Sequence, residues 1–243
     1  MPSPSSPVRR SGLAALAALL CAALAGPAAA HTVWLEADSA RAGDYLVRFG
    51  GHADKLESYP AEKLGAVHAY DAAGAPLAVQ REDGAEGVRV RAAGAPVLLT
   101  ASYDNGYWSK TANGKSINKP MNEVAGARSA VHAIKFHKTI VQWGEQATRA
   151  LGQPFELRPL AATPARAGQP LQLEVLIDGK PAPGIRVAFG EEGADAISDD
   201  KGIATLTPRA GINRLWAGRR QAVSNDPRLT ELSIEYSLVF SAR

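Results

Sequence analysis

The chain has 243 residues, of which 46% are hydrophobic and 21% are charged, and this composition excludes an intrinsically disordered protein. Its formal net charge of +3 includes Arg9 and Arg10; without residues 1–30 the balance is 25 basic against 24 acidic side chains, or +1. So small an excess gives no support to nucleic-acid binding or to attachment to an anionic membrane surface, and we expect no nucleic-acid partner.

Residues 1–30 have the pattern of a secretory signal peptide. Arg9 and Arg10 form a positive n-region, residues 12–25 form an apolar run, and Ala28-Ala29-Ala30 is a small-x-small cleavage site. The apolar run is shorter than the roughly 20 residues that span a bilayer, and no later segment is long enough. We therefore predict an exported, periplasmic protein with no membrane span in the mature chain.

Cleavage after Ala30 would make His31 the first residue of the mature protein. Its α-amine and one imidazole nitrogen can then chelate a metal ion, and tetragonal nitrogen donors favour Cu(II) or Ni(II). The alternative is that histidine follows the cleavage site by chance. The single cysteine, Cys21, is removed with the leader, which excludes disulfides and thiolate metal sites in the mature chain.

The sequence after the leader predicts an all-β fold. Short apolar or alternating segments recur about every 8–12 residues between Gly- and Asp-rich turns, which is typical of β-sandwiches. In a first β-rich domain, residues 31–160, the first two strands are separated by a short turn, so they can be antiparallel neighbours. The predicted strands are 31–36, 44–49, 64–70, 76–80, 87–91, 97–103 and 129–143.

Residues 104–127 are polar and rich in turn residues, and they predict a long loop in which Tyr107 and Trp108 are embedded. Long loops inside compact domains are often functional. The alternative is a solvated insertion with one aromatic anchor.

A segment rich in Pro, Ala and Thr at residues 154–170 predicts a linker. A second strand set follows and predicts a small β-sandwich domain over residues 168–243, which contains no histidine and therefore no expected metal ligand. Its predicted strands are 171–177, 185–189, 204–206, 214–217 and 232–240.

Among the other histidines, His52 follows Gly50-Gly51 at the end of a predicted strand, where glycines allow a loop to approach another backbone closely. His132 shares its strand parity with apolar residues and is expected to face the core. His137 shares parity with Lys135, which indicates a wetter face and a weak ligand candidate. Nucleophile elbows, phosphate-binding glycine loops and His-Glu-x-x-His motifs are absent, so we do not expect an enzyme.

Three motifs together resemble one family: His31-Thr-Val-Trp-Leu, Phe49-Gly-Gly-His52 and Asp104-Asn-Gly-Tyr-Trp-Ser-Lys-Thr. The chain is similar to an exported family of unknown function once described as the periplasmic component of a cobalt or nickel transport system. The resemblance implies that the second half is a small sandwich of the prealbumin or carboxypeptidase-regulatory type, matched here by Gly179-Lys-Pro-Ala-Pro-Gly184 and Asp199-Asp-Lys-Gly202.

The sequence thus predicts two β-sandwich-like domains and a periplasmic protein that binds nickel, cobalt or copper and assists a metal-uptake transporter. His31 and His52 are the predicted ligands, and Tyr107 or Trp108 is expected to support them from the second shell. The alternative is a non-metal adhesion or carbohydrate-binding module in which Tyr107 and Trp108 form a stacking platform.

Overall fold

The structure is a computed structural model that describes residues 31–51, 55–84, 87–190 and 195–243. The predicted leader, residues 1–30, and His52 lie outside the described residues. No helix in the described part of the chain is long and apolar enough to cross a membrane.

The described residues are dominated by β-strands, with 3₁₀ turns at Ala61–Lys63, Met121–Glu123 and Glu145–Thr148. The strands in chain order are β1 (Thr32–Ala37), β2 (Asp44–Gly50), β3 (Leu64–Tyr70), β4 (Pro76–Leu77), β5 (Val79–Gly84), β6 (Gly87–Ala92), β7 (Leu98–Thr111), β8 (Ser116–Ile117), β9 (Ala127–Ile140), β10 (Phe155–Pro159), β11 (Leu171–Ile177), β12 (Lys180–Pro181), β13 (Arg186–Phe189), β14 (Asp195–Ile197), β15 (Ile203–Leu206), β16 (Gly211–Ala222) and β17 (Glu231–Ala242).

These strands form three sheets. The first sheet has the order β1-β2-β6-β5, and the third has the order β10-β11-β12 with β15 also paired to β11. The second and largest sheet, called the central sheet below, has the order β14-β13-β16-β17-β9-β7-β3-β4, and β8 pairs with β7 at its side. The strand pairs are antiparallel apart from β17 and β9, which run parallel.

The central sheet is buried on both faces, as the adjacent residues Leu98 and Leu99 of β7 show. Side chains of successive strand residues point to opposite faces. Leu98 belongs to the core shared with the third sheet, which includes Leu173 and Leu238. Leu99 belongs to the core shared with the first sheet, which includes Leu35. The fold is therefore a three-layer arrangement in which two sandwiches share their middle sheet.

The predicted all-β, sandwich-like fold is confirmed, but the two sandwiches are not separate bodies. The parallel pairing of β17 with β9, with Tyr236 opposite Phe136, joins strands from the predicted domains 31–160 and 168–243 in one sheet. Residues 31–243 form one compact unit. The reason is physical: once β17 supplies ladder hydrogen bonds to β9, both halves of the chain complete the same hydrophobic layers. The likeness of the second half to the prealbumin type stays a prediction.

The expectation of a long loop over residues 104–127 is wrong for residues 104–111, which belong to a strand, whereas residues 112–126 do connect β7 and β9 and carry only β8 and the 3₁₀ turn at Met121–Glu123. β7 continues to Thr111 and β9 begins at Ala127, and the two strands pair along this stretch with register shifts near Gly106 and Thr111. Residues 104–111 are therefore the last part of β7 in the central sheet, paired with β9, which itself pairs with β17 from Val131 onwards. Their polar composition reflects solvent exposure and not the lack of a strand.

Candidate metal centre at His31

His31 immediately precedes β1 and lies beside the end of β2. The register pairs Val33 with Phe49 and Thr32 with Gly50, which confirms the prediction that these strands are antiparallel neighbours. Continuing the register by one residue would place His31 opposite Gly51, directly before His52. The pairing of β1 with β2 therefore places His31 beside the residue that precedes His52, although His52 itself lies outside the described residues.

The imidazole of His31 is held by two side chains. Its Nε2 atom lies 2.9 Å from Oε1 of Glu57, and its ring stacks on Phe49 with centroids 5.6 Å apart and planes inclined by 16°. The side chains of His31 and Glu57 are 27% and 39% exposed, so the pair sits at the surface and is open to an ion from solvent.

Backbone contacts bring Glu57 back to His31 after the short excursion that follows β2. The Glu57 N–H donates a 2.9 Å hydrogen bond to the carbonyl oxygen of Phe49, and Gly50 forms a bridge with Leu56. A Cβ atom on Gly50 would lie 2.2 Å from the carbonyl oxygen of Lys55, so only glycine allows this approach. This agrees with the sequence-based interpretation of Gly50 as a close-approach residue.

An aromatic cluster supports the floor of the site. Phe49 stacks on Tyr103 at 5.0 Å, and Tyr59 meets Tyr103 edge-on at 5.6 Å. The Tyr59 hydroxyl donates a hydrogen bond to Val47 O and accepts one from Val88 N–H, which fixes it between β2 and β6. The rings therefore make a packed base that limits rotation of the His31 imidazole.

The Tyr103 hydroxyl in this cluster is buried and has no hydrogen-bond partner among the described residues. Burial raises the pKa of Tyr103, so the hydroxyl stays protonated.

The free edge of β1 is held by side chains of the central sheet. The Leu35 N–H donates a 3.0 Å hydrogen bond to Nε2 of His137, and the Thr139 hydroxyl donates to the Leu35 carbonyl. On the other ring nitrogen, Nδ1 lies 2.6 Å from Ser237 Oγ, whose hydroxyl donates to the Val33 carbonyl. A neutral His137 with its proton on Nδ1 satisfies every one of these contacts.

His137 is fully buried, and burial, with a smaller contribution from the charge of Arg214, lowers its pKa to about 3. With both nitrogens engaged in the interior, it anchors β1 and is not a metal ligand. The predicted wetter face for His137 is wrong because the first sheet covers that side of β9.

The prediction that His132 faces the core is also wrong. It lies on β9 between β7 and β17, where its Nε2 is 2.9 Å from Oδ1 of Asp104 and its ring stacks on Tyr107 at 4.2 Å. Its side chain is 17% exposed and its partner Asp104 is 61% exposed, so the apolar parity of the strand does not translate into full burial there.

Tyr107 and Trp108 take different partners on opposite faces of β7. Tyr107 on β7 pairs with His132 on β9, whereas the next residue, Trp108, lies under the Lys63 ammonium at 5.6 Å. Since neighbouring strand residues point to opposite sides, the two rings do not form one flat stacking platform.

Within residues 31–51, 55–84, 87–190 and 195–243, no three His, Cys, Asp or Glu side chains converge as a metal-binding group. His31 and Glu57 form a pair of the kind found at metal sites, in which a carboxylate holds one ring nitrogen of a histidine and the other ring nitrogen binds the ion. Among the described residues, His31 and Glu57 thus supply one such pair.

Glu57 was not identified as a site residue from the sequence. It lies 26 positions after His31 in a polar stretch with no motif, and only the return of the chain after Gly50 brings the two side chains together. Gly50 was the one usable signal, because a glycine at a strand end indicates a close backbone approach.

Comparison with known proteins identifies relatives. The family described as "Domain of unknown function (DUF4198)" matches residues 28–219. The chain is also 34% identical over 216 residues to an "Uncharacterized protein" of Haemophilus influenzae (strain ATCC 51907 / DSM 11121 / KW20 / Rd), an alignment that covers 88% of this chain and 91% of the relative. No solved structure matches the chain.

Proposed function

We propose that this chain, which belongs to the DUF4198 family, is an exported periplasmic protein that binds a divalent transition metal ion and assists its uptake. The ion is nickel, cobalt or copper. His31 binds it through the α-amine and one imidazole nitrogen of the mature N-terminus, and His52 supplies a further nitrogen.

The observation that carries this proposal is the position of His31. The residue at the predicted N-terminus is held by a carboxylate at 2.9 Å and by a stacked ring, at the point where β2 leads into the His52 segment. A histidine that followed a cleavage site by chance would need neither restraint. Nitrogen donors held in this way suit Cu(II) and Ni(II) above harder ions.

Delivery of the metal to an uptake transporter is the part of the proposal that depends on the family resemblance. The competing assignment, a carbohydrate-binding module built on Tyr107 and Trp108, is not favoured because the two rings lie on opposite faces of β7.

The test is the metal content of protein exported with its own leader and purified from the periplasm without chelators. Intact mass must first show that the chain begins at His31. We expect about one equivalent of nickel, cobalt or copper by plasma mass spectrometry, and much less in a cytoplasmic form that keeps one extra residue before His31.

A second comparison uses His52→Ala, with His68→Ala as the control because His68 is an exposed histidine on β3. Loss of metal only in His52→Ala supports the proposed ligand pair. A mature start elsewhere, or equal metal content in the mature and extended forms, contradicts the proposal.

A further inference from the structure

The contact between Glu57 and His31 restricts which imidazole nitrogen can bind metal. We infer that Glu57 is a positioning residue that reserves Nδ1 of His31 for the ion, an inference that rests on the proposed metal-binding function. Neither the family description nor the sequence motifs assign a role to Glu57.

The contact with Glu57 selects one neutral tautomer of the His31 imidazole. A neutral imidazole carries one N–H donor and one lone pair, and an ionised carboxylate can only accept. Because Nε2 lies 2.9 Å from the Glu57 oxygen, the neutral tautomer that satisfies this contact has its proton on Nε2 and its lone pair on Nδ1.

A chelate that includes the α-amine of His31 requires Nδ1 as its second nitrogen. A metal bound to the α-amine of His31 closes a six-membered ring through Cα, Cβ, Cγ and Nδ1, whereas Nε2 is on the far side of the ring and cannot close it. The nitrogen that Glu57 leaves as a lone pair is therefore the one that the terminal chelate requires.

The restraint is built into the backbone and does not depend on a flexible side chain alone. The Glu57 N–H is hydrogen-bonded to Phe49 O, and the same Phe49 ring stacks on the imidazole. One short stretch of β2 thus sets both the plane of the ring and the position of its carboxylate partner. Outer-shell carboxylates of this type typically contribute about 10–100-fold to metal affinity.

The experiment compares four mature proteins that begin at His31: unaltered, Glu57→Ala, Glu57→Gln and the control Glu62→Ala, which removes an exposed glutamate nearby. Nitrogen-detected NMR of His31 is recorded without metal and with Zn(II), a diamagnetic probe, and affinities for Zn(II) and Cu(II) are measured by competition with a chelator.

We expect the unaltered protein to show a protected Nε2–H without metal and to bind Zn(II) through Nδ1 with that proton retained. Glu57→Ala should lose the protection and about 10–100-fold in affinity; Glu57→Gln, which keeps an acceptor oxygen, should lose less, and Glu62→Ala should stay within about twofold.

The outcomes separate the two claims. Tight binding by the unaltered protein through Nε2, or affinities of Glu57→Ala within twofold of it, overturns the inference and leaves the proposed function standing. If the unaltered protein binds neither metal more tightly than a form extended before His31, the proposed function fails and the inference fails with it.

Discussion

The buried imidazole of His137 makes the stability of the fold depend on pH in a defined direction. Burial lowers the pKa of His137 from its ordinary value of 6.5 to about 3, so the unfolded chain takes up the proton first as the pH falls. Stability is therefore fully present above about pH 6.5 and is lost progressively towards pH 3. Protonation would also give Nε2 a proton and break its acceptance of the Leu35 N–H.

The size of the effect follows from the same pKa. Each pH unit between the unfolded and folded values corresponds to about 1.36 kcal/mol. From about pH 6.5 to pH 4 the folded histidine remains neutral while the unfolded one is charged, so His137 alone should lower the free energy of unfolding by about 3 kcal/mol.

Urea unfolding at several pH values between 7 and 4 measures this, with His137→Gln as the matched variant. Glutamine can accept from the Leu35 N–H and donate towards Ser237, yet it does not titrate. We expect it to be less stable at pH 7 and to lose about 3 kcal/mol less than the unaltered protein on going to pH 4. Parallel pH profiles for the two proteins, or NMR titration of His137 near pH 6.5, would refute the reasoning.

Three further predictions concern other parts of the fold, and each is checked by thermal and urea unfolding. Tyr103→Phe removes a buried hydroxyl that has no partner among the described residues and should raise the free energy of unfolding by about 1 kcal/mol. Tyr236→Phe, the matched variant, loses a 3.0 Å hydrogen bond and should lower the free energy of unfolding by a similar amount. The opposite order of the two stabilities would contradict this assignment. Lys138→Met leaves the buried Glu156 without the ammonium 2.7 Å away and should lower the free energy of unfolding by about 3–5 kcal/mol. The double variant Lys138→Met/Glu156→Leu should recover part of that loss, because no unpaired buried charge remains. No recovery would show that charge pairing is not the cause. Gly50→Ala forces the end of β2 away from the returning chain and should lower both Tm and metal affinity, and an unchanged Tm would show that the close approach is not required.

Local features of the fold could be predicted from the sequence because they depend on neighbouring residues. The short connection between β1 and β2 implied an antiparallel pair, and the observed register confirms it. The apolar run Val97-Leu98-Leu99 also contained usable information, since two consecutive apolar residues in a strand indicate burial on both faces.

The shared central sheet could not be predicted in this way. Besides the neighbouring β16, β17 pairs with β9, about 100 residues earlier, and the pattern of neither strand indicates this second pairing. The face of His137 was misassigned for the same reason: whether a strand face is wet depends on what packs over it, and here the first sheet does.

In the candidate site, too, residues with a local sequence signal could be predicted and residues that depend on distant contacts could not. The leader motif and Gly50-Gly51 pointed to His31 and to the end of β2, because both signals are local. Glu57 carries no sequence signal, and its role depends on a contact between side chains 26 positions apart. Tyr107 and Trp108 were visible as a motif, yet the pairing of β7 with β9 separates their faces.

The most direct test of the account is calorimetric titration of the mature protein with Cu(II), Ni(II), Co(II) and Zn(II), compared with the same protein carrying one extra residue before His31. The account predicts that one equivalent of Cu(II) or Ni(II) binds more tightly than Zn(II), and that the extension abolishes this binding while the fold is unchanged. Equal affinities for the mature and extended proteins would contradict the claim that the N-terminal histidine is the metal ligand.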